Sequence, residues 1–216
     1  MSNNGTNSLE KSRRFGELSI DKMDDEQRAI NDWLIEYLRP GRIGTGETIG
    51  GPMDALLRSP KVAELIGRMV PLIFDGLSVP RRATELTVLV TARYWNCEYE
   101  YDTHRRHAAK FGLGTSIVDT IESGIRPELD DELEAVYEFV TQLLNEGDVS
   151  DGVFHKVANL WGQQGVVELI TTVGFYTMLA LILNVDRCPV PAGGRNLHPM
   201  DFRPVDGTPY GSSDSN

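Results

Sequence analysis

The sequence predicts an all-α fold, and three observations carry that expectation. Apolar residues recur at helical spacing over most of the chain. Helix start and stop signals fall at the ends of these stripes. No stretch alternates convincingly as a strand: the short apolar run Val88-Leu89-Val90 lies inside a helical pattern.

Asp24 and Asp25 open a first helix with Ile30, Trp33, Leu34, Tyr37 and Leu38 on one face, and Pro40-Gly41 ends it. Five glycines between positions 41 and 51 make a loop. Met53 to Leu57 reads as a short helical turn. Ser59-Pro60 starts a helix with proline at its first position, carrying the stripe Val62, Leu65, Ile66, Met69 and Ile73. Pro80 opens the next, through Leu86, Leu89, Val90 and Arg93. Another begins at Cys97 or Glu98 and stops at Gly112. Thr115 caps a short helix to Glu122. Asp130 starts a long one through Leu133, Val136, Tyr137, Val140 and Leu144, ended by Gly147. Ser150 caps the next, to about Leu160, and the last helix runs from about Gln164 to Leu183.

These signals divide the chain into a flexible N-terminus (1–23), a helical domain (24–186, core about 60–185) and a Pro/Gly-rich tail (187–216). The breaker density from Pro189 to Gly211 forbids a helix in the tail. Phe202 and Tyr210 offer it apolar anchors, which favours partial docking. Glu85-Leu86-Thr87 and Glu168-Leu169-Ile170 form a weak internal echo, each opening an apolar helix.

A chain of 216 residues buries enough surface to fold without disulfides or metals. Its net charge of −11 repels phosphate backbones and anionic membrane surfaces, so neither nucleic acid nor a membrane is an expected partner. The longest apolar stretch, Val173 to Val185, is interrupted and shorter than the ~20 residues a membrane span needs. Met1 to Arg14 is polar, unlike a signal peptide, and the expected location is the cytoplasm. The two cysteines, Cys97 and Cys188, suggest neither a structural disulfide nor a paired-cysteine zinc site.

Reactive groups concentrate between Tyr94 and His104. A helix starting near Cys97 puts Glu100 and His104 four apart on one face, with Cys97 one turn earlier. The positive end of the helix dipole favours a thiolate at Cys97. Glu100 is placed to hold His104 in one tautomer or raise its basicity, and a histidine so held serves as general acid or base. Glu85 lies in the preceding helix among apolar neighbours, where a carboxylate is costly without a partner. Ordinary structural roles fit these residues too: Glu–His pairs also occur on solvated helix faces, and a cysteine near a helix start is often a small core residue. Trp95, Tyr99, Tyr101 and Tyr176 are candidate pocket walls. Arg105 or Arg106 is a candidate clamp for a substrate carboxylate, while His107 reads as part of a basic helix end. A metal site built from Glu85, Glu100 and His104 is set aside, because di-iron bundles use Glu-x-x-His spacing.

The residues Glu85-Leu86, then Tyr99-Glu100-Tyr101-Asp102-Thr103-His104, then Ala108-Ala109-Lys110-Phe111-Gly112-Leu113, resemble the core of the carboxymuconolactone decarboxylase family. Gly51-Pro52-Met53-Asp54-Ala55-Leu56-Leu57 is similar to an upstream family signature. Val167-Glu168-Leu169 through Gly174-Phe175-Tyr176 is similar to a downstream one. The resemblance spans about residues 24–185. It implies an alkylhydroperoxidase D-like helical bundle, here with an N-terminal helical extension and an irregular tail. In the alkylhydroperoxidase D branch a Glu, a Cys-x-x-Cys and a His make the site. Glu85, Cys97 and His104 fall on those positions, but Glu100 stands where the second cysteine would be, so that disulfide cannot form. A Glu four before the His matches the decarboxylases instead, which need no metal or organic cofactor.

The resemblance implies a cofactor-free acid–base enzyme acting on a small organic acid, lactone or related carbonyl compound. His104 is the main proton-transfer group, Glu100 orients it, Glu85 is a second acid/base or relay, and Cys97 lines the pocket. Tyr99, Tyr101, Trp95 and Arg105 are the expected substrate contacts. The first alternative is a thiol peroxidase using Cys97. The second is a non-catalytic binding or assembly protein of this fold. The family's habit of assembling implies a homo-oligomer, a trimer or hexamer with a dimer as the smaller option, and the apolar last helix is long enough to supply an interface.

Overall fold

The computed structural model describes residues 12–42 and 46–197, so the Asn- and Ser-rich start and the anchors Phe202 and Tyr210 lie outside the described residues. Among the described residues the fold is all-α, as the periodicity predicts, with no strand. Helix α1 (Asp25–Leu38) starts in a capping box. Asp24 accepts from the Gln27 backbone N–H at 2.8 Å, and the Gln27 side chain accepts from the Asp24 N–H at 3.1 Å. Helices α2 (Pro52–Leu56) and α3 (Pro60–Pro71) both begin on proline, whose fixed φ suits a first turn. A π-helical turn at Leu72–Gly76 follows. Then come α4 (Arg81–Tyr94), α5 (Glu98–Lys110) and α6 (Thr115–Glu122). They are followed by α7 (Asp131–Glu146) and α8 (Asp151–Asp186). Gly114, not the expected Thr115, occupies the cap position of α6.

Helix α4 is the centre of the bundle: every residue from Ala83 to Tyr94 is buried, between α5, α7 and α8. Its Leu86, Leu89 and Val90 meet Leu133, Val136, Phe139 and Val140 of α7 and Leu169 and Val173 of α8. A second core joins α1, α2 and α3 to the later part of α8, through Leu34, Leu57, Ile66, Ile73, Phe175 and Leu179. Glu168, the echo of Glu85, accepts from the backbone N–H groups of Ser78 and Val79 at 2.8 and 3.0 Å, fixing the chain just before α4.

Two apolar faces differ from expectation. In α1 the buried residues are Asn31, Leu34 and Ile35, while Tyr37 is exposed and stacks on Trp33 at 5.0 Å. The polar Asn31 goes inside because its Oδ1 accepts the Ile49 N–H at 2.9 Å, satisfying a buried loop donor. In α3 the buried face is Ala63, Ile66 and Gly67, leaving Val62 and Leu65 exposed. Small residues win here because α1 packs closely: a Cβ on Gly67 would lie 2.3 Å from Leu34 Cδ2.

Helix α8 is 36 residues long but breaks at Trp161 and Gly162, where the dihedrals leave the helical range. The sequence places the limits of its two halves to within about three residues, the end being expected at Leu183 and found at Asp186. By length and composition the helix could cross a membrane, contrary to the shorter apolar stretch expected. A buried core helix passes the same test, and 56% of the apolar window is buried inside the domain.

Both ends of the domain are tied down. The N-terminal segment, expected to be flexible to residue 23, is docked from residue 13 onward. Arg13 donates to Asp186 Oδ2, and the Arg14 and Phe15 N–H groups reach the Asp186 carbonyl and carboxylate at 2.8 and 3.0 Å. Leu18 and Met23 are buried. The tail folds back over α5 as far as Leu197, which is buried in the main core. Arg195 donates its N–H to Asp102 Oδ1 at 3.0 Å. Gly194 permits that approach, since a Cβ there would sit 2.6 Å from Asp102 Oδ2.

Candidate active site

Burial and pairing decide the state of each group at the α4–α5 junction. Glu85 is in the second turn of α4, fully buried. Its Oε1 accepts two bonds from Arg81, one turn earlier, at 2.9 and 2.5 Å. Its Oε2 accepts from His104 Nδ1 on α5 at 2.8 Å. Arg81 is itself fixed, donating to the Phe74 carbonyl at 2.7 Å with its guanidinium 4.0 Å over the Phe74 ring. Burial pushes the Glu85 carboxyl up, but the bonds and charges of His104 and Arg81 outweigh it and hold Glu85 below the usual carboxylate range. An ionised carboxylate only accepts, so His104 carries its proton on Nδ1 toward Glu85 and turns Nε2 outward.

Nε2 lies 3.5 Å from Glu100 Oε2, one turn earlier on α5. Glu100 is buried, and its carboxyl is pushed up by burial and by the charge of Glu85, with His104 pulling the other way. Two carboxylates with opposite shifts thus flank one imidazole, the pattern that separates an acid from a base.

Glu100 and His104 open onto a cavity of about 520 Å³ between the start of α5 and the second core. Its walls include Tyr37, Met53, Phe74, Phe175, Tyr176 and Leu179, and Tyr99, Thr103 and His107 add polar atoms. Tyr176 meets the His104 ring edge-on at 4.9 Å. The aromatic walls orient a ligand's apolar body, and the polar groups gather at the α5 end.

The structure brings Glu85, Glu100 and His104 together but assigns them differently from the sequence reading. Glu85 orients His104, the role expected of Glu100, and stands behind the imidazole instead of lining the cavity. Cys97, the N-cap residue of α5, turns away into a separate group with Ala180 and Leu183. The thiolate expected from the helix dipole does not arise: burial and the Glu100 charge push the Cys97 thiol far up. Of the four expected substrate contacts only Tyr99 lines the cavity. The Tyr101 hydroxyl donates to the Val118 carbonyl at 2.6 Å, and Trp95 Nε1 donates to Thr177 Oγ1 at 3.0 Å. Arg105 is held by Asp102 through bonds of 2.9 and 2.7 Å. Each is satisfied by a structural partner.

Two participants were not anticipated. Arg81 was legible in principle, as the basic residue four before Glu85. His107, read as helix-end charge, lines the cavity with Nδ1 4.0 Å from Glu85 Oε1. That Nδ1 is buried without a hydrogen-bond partner. Ligand atoms of Glu85, His104 and His107 lie within 4.8 Å of one another, a set that could hold a cation. Against a cation stands the Arg81 guanidinium on the same carboxylate. The chain matches no family model, no curated protein and no solved structure.

Proposed function

We propose that this protein is a cofactor-free acid–base enzyme that moves a proton on a small organic acid, lactone or related carbonyl compound, by decarboxylation or proton transfer. The observation that carries the reading is the Glu85–His104 bond of 2.8 Å behind an imidazole whose free nitrogen faces Glu100 and the cavity. Glu85 is a positioning residue: it fixes the tautomer and stabilises the imidazolium when Nε2 takes a proton. His104 Nε2 is the base that accepts a proton from carbon next to a carbonyl. Glu100, biased toward its neutral form, is the acid that delivers one to oxygen or carbon. In a decarboxylation, the carbon left after loss of carbon dioxide takes its proton from the same acid. The resemblance to carboxymuconolactone decarboxylases supports the same lyase chemistry. The opening of Glu100 and His104 onto one cavity, with Glu85 bonded to His104 behind them, supports a catalyst over a non-catalytic assembly protein. The burial of Cys97 away from that cavity weighs against a Cys97 peroxidase.

The test is a panel of β-keto acids and carboxylated lactones, read by carbon dioxide release and by deuterium incorporation in D2O. Turnover by wild type and its loss in a folded His104→Gln protein is expected. A folded His104→Gln protein as active as wild type would sink the proposal.

Assembly belongs to the same reading. Val167, Ile170, Leu181 and Val185 of α8 are exposed, an apolar face suited to a homo-oligomer. Light scattering is expected to give a trimer or hexamer, with a dimer as the smaller option, and a clean monomer refutes it. The cytoplasm remains the proposed location.

A further inference from the structure

Outside the acid–base site, the described residues hold two thiols, and the fold brings them to one place. Cys97 precedes the first residue of α5, and Cys188 follows Arg187, the left-handed residue that closes α8. The turn that places Cys188 is fixed by its N–H donating to the Leu183 carbonyl at 3.0 Å. Leu183 is also part of the buried group formed by Cys97 and Ala180, against which Cys188 packs. Both cysteines line one cavity of about 990 Å³, and the tail residues Pro189 to Gly194 line it too. That cavity is separate from the His104 pocket, and Tyr99 is the residue that lines both.

We propose that Cys97 and Cys188 are a redox-active dithiol pair, a disulfide site that fastens the C-terminal segment to the start of α5 in the presence of a hydroperoxide. The two differ in a way that sets the order of events. Cys97 is almost wholly buried, whereas Cys188 is half-buried at the cavity wall. Burial pushes the Cys188 thiol up to about 11 while the Arg13 guanidinium pulls it back, and Cys97 is pushed further still. Cys188 sulfur therefore attacks the peroxide first. Its new S–O bond forms as the O–O bond breaks and its thiol proton passes to the leaving alkoxide oxygen, giving Cys188 sulfenic acid and an alcohol. Cys97 sulfur then displaces the hydroxyl as water, and its thiol proton leaves with that oxygen. In sum, two thiols and one hydroperoxide give one disulfide, one alcohol and one water. Because both thiols stay protonated near neutral pH, the reaction is slow, as suits a sensor of sustained oxidation more than a peroxidase.

The product adds a covalent point to those that already hold the tail, the Arg195 contacts and the buried Leu197. Arg195 is already fixed to Asp102 at 3.0 Å, so the disulfide closes residues 188–195 into a strap across the first turns of α5. The start of α5 carries Tyr99 and Glu100, so the strap adjoins the acid–base pocket without using any of its proton-transfer groups.

The test uses the full chain, reduced and then exposed to tert-butyl hydroperoxide, blocked with N-ethylmaleimide and digested with trypsin. Cleavage after Arg93, Arg105, Arg187 and Arg195 makes the diagnostic product a cross-link between peptides 94–105 and 188–195. The intact mass falls by about 2 Da and dithiothreitol restores it, as for any two-electron dithiol oxidation. The native chain is expected to cross-link faster than the same chain unfolded in urea. Cys188→Ser is expected to leave Cys97 unoxidised, and His104→Gln is expected to cross-link like wild type. Sulfinic acid on Cys188 beside a free Cys97 would overturn the proposal. So would a cross-link only between molecules, or Cys97 oxidation at an undiminished rate in Cys188→Ser.

Discussion

Glu85→Gln and Glu100→Gln are expected to change stability in opposite directions, although the two carboxylates flank the same imidazole. Glu85→Gln keeps the shape but removes the charge that Arg81 and His104 share. The Arg81 side chain is 15% exposed, so water compensates it poorly. Removing one partner of a buried ion pair costs about 3–5 kcal/mol. The remaining amide oxygen keeps one ordinary hydrogen bond worth about 1 kcal/mol, leaving a loss of about 2–4 kcal/mol. For a chain of this size that lowers Tm by on the order of 10 °C. The pH dependence follows from the direction of each shift. Glu85 is held low in the folded state, so its contribution is present above the unfolded value of about 4.3 and disappears as pH falls through the folded value. Glu100 is pushed up, so its burden is absent below about pH 4.3 and grows as pH rises through the folded value. Urea unfolding at about pH 4 and about pH 8, with the slope unchanged, separates the two. At about pH 8, Glu85→Gln is expected to be the less stable protein and Glu100→Gln at least as stable as wild type. Toward about pH 4 both differences shrink. Equal destabilisation by the two variants at about pH 8 would refute the opposite assignments of these carboxyls.

Two further outcomes test how the early helices frame the cavity. Asn31→Ala leaves the buried Ile49 N–H without its acceptor and is expected to cost about 1–3 kcal/mol in urea unfolding, whereas Tyr37→Ala, at an exposed position, costs less. Gly67→Ala forces a methyl into Leu34 and is expected to cost about 1–3 kcal/mol, against little for Leu65→Ala on the exposed face of the same helix.

The sequence by itself determined the helical class and most element limits, because caps, prolines and apolar period act over a few neighbouring residues. Asp24, Asp130 and Gly147 fall at helix ends for such local reasons. It also determined that Glu100 and His104 meet, since i and i+4 face together on any helix. Tertiary structure decided the rest. Asn31 and Gly67 face inward because of what lies across the packing interface, Ile49 in one case and Leu34 in the other. Glu85, not Glu100, holds His104, because the α4–α5 packing sets which carboxylate reaches Nδ1. The helix-dipole reading of Cys97 is reversed because desolvation in a packed group outweighs a dipole at one helix end. Its proximity to Cys188 depends on the end of α8 packing against the start of α5, and the tail beyond is tied to Asp102, Asp119 and the main core through Arg195 and Leu197, contacts between residues far apart in sequence.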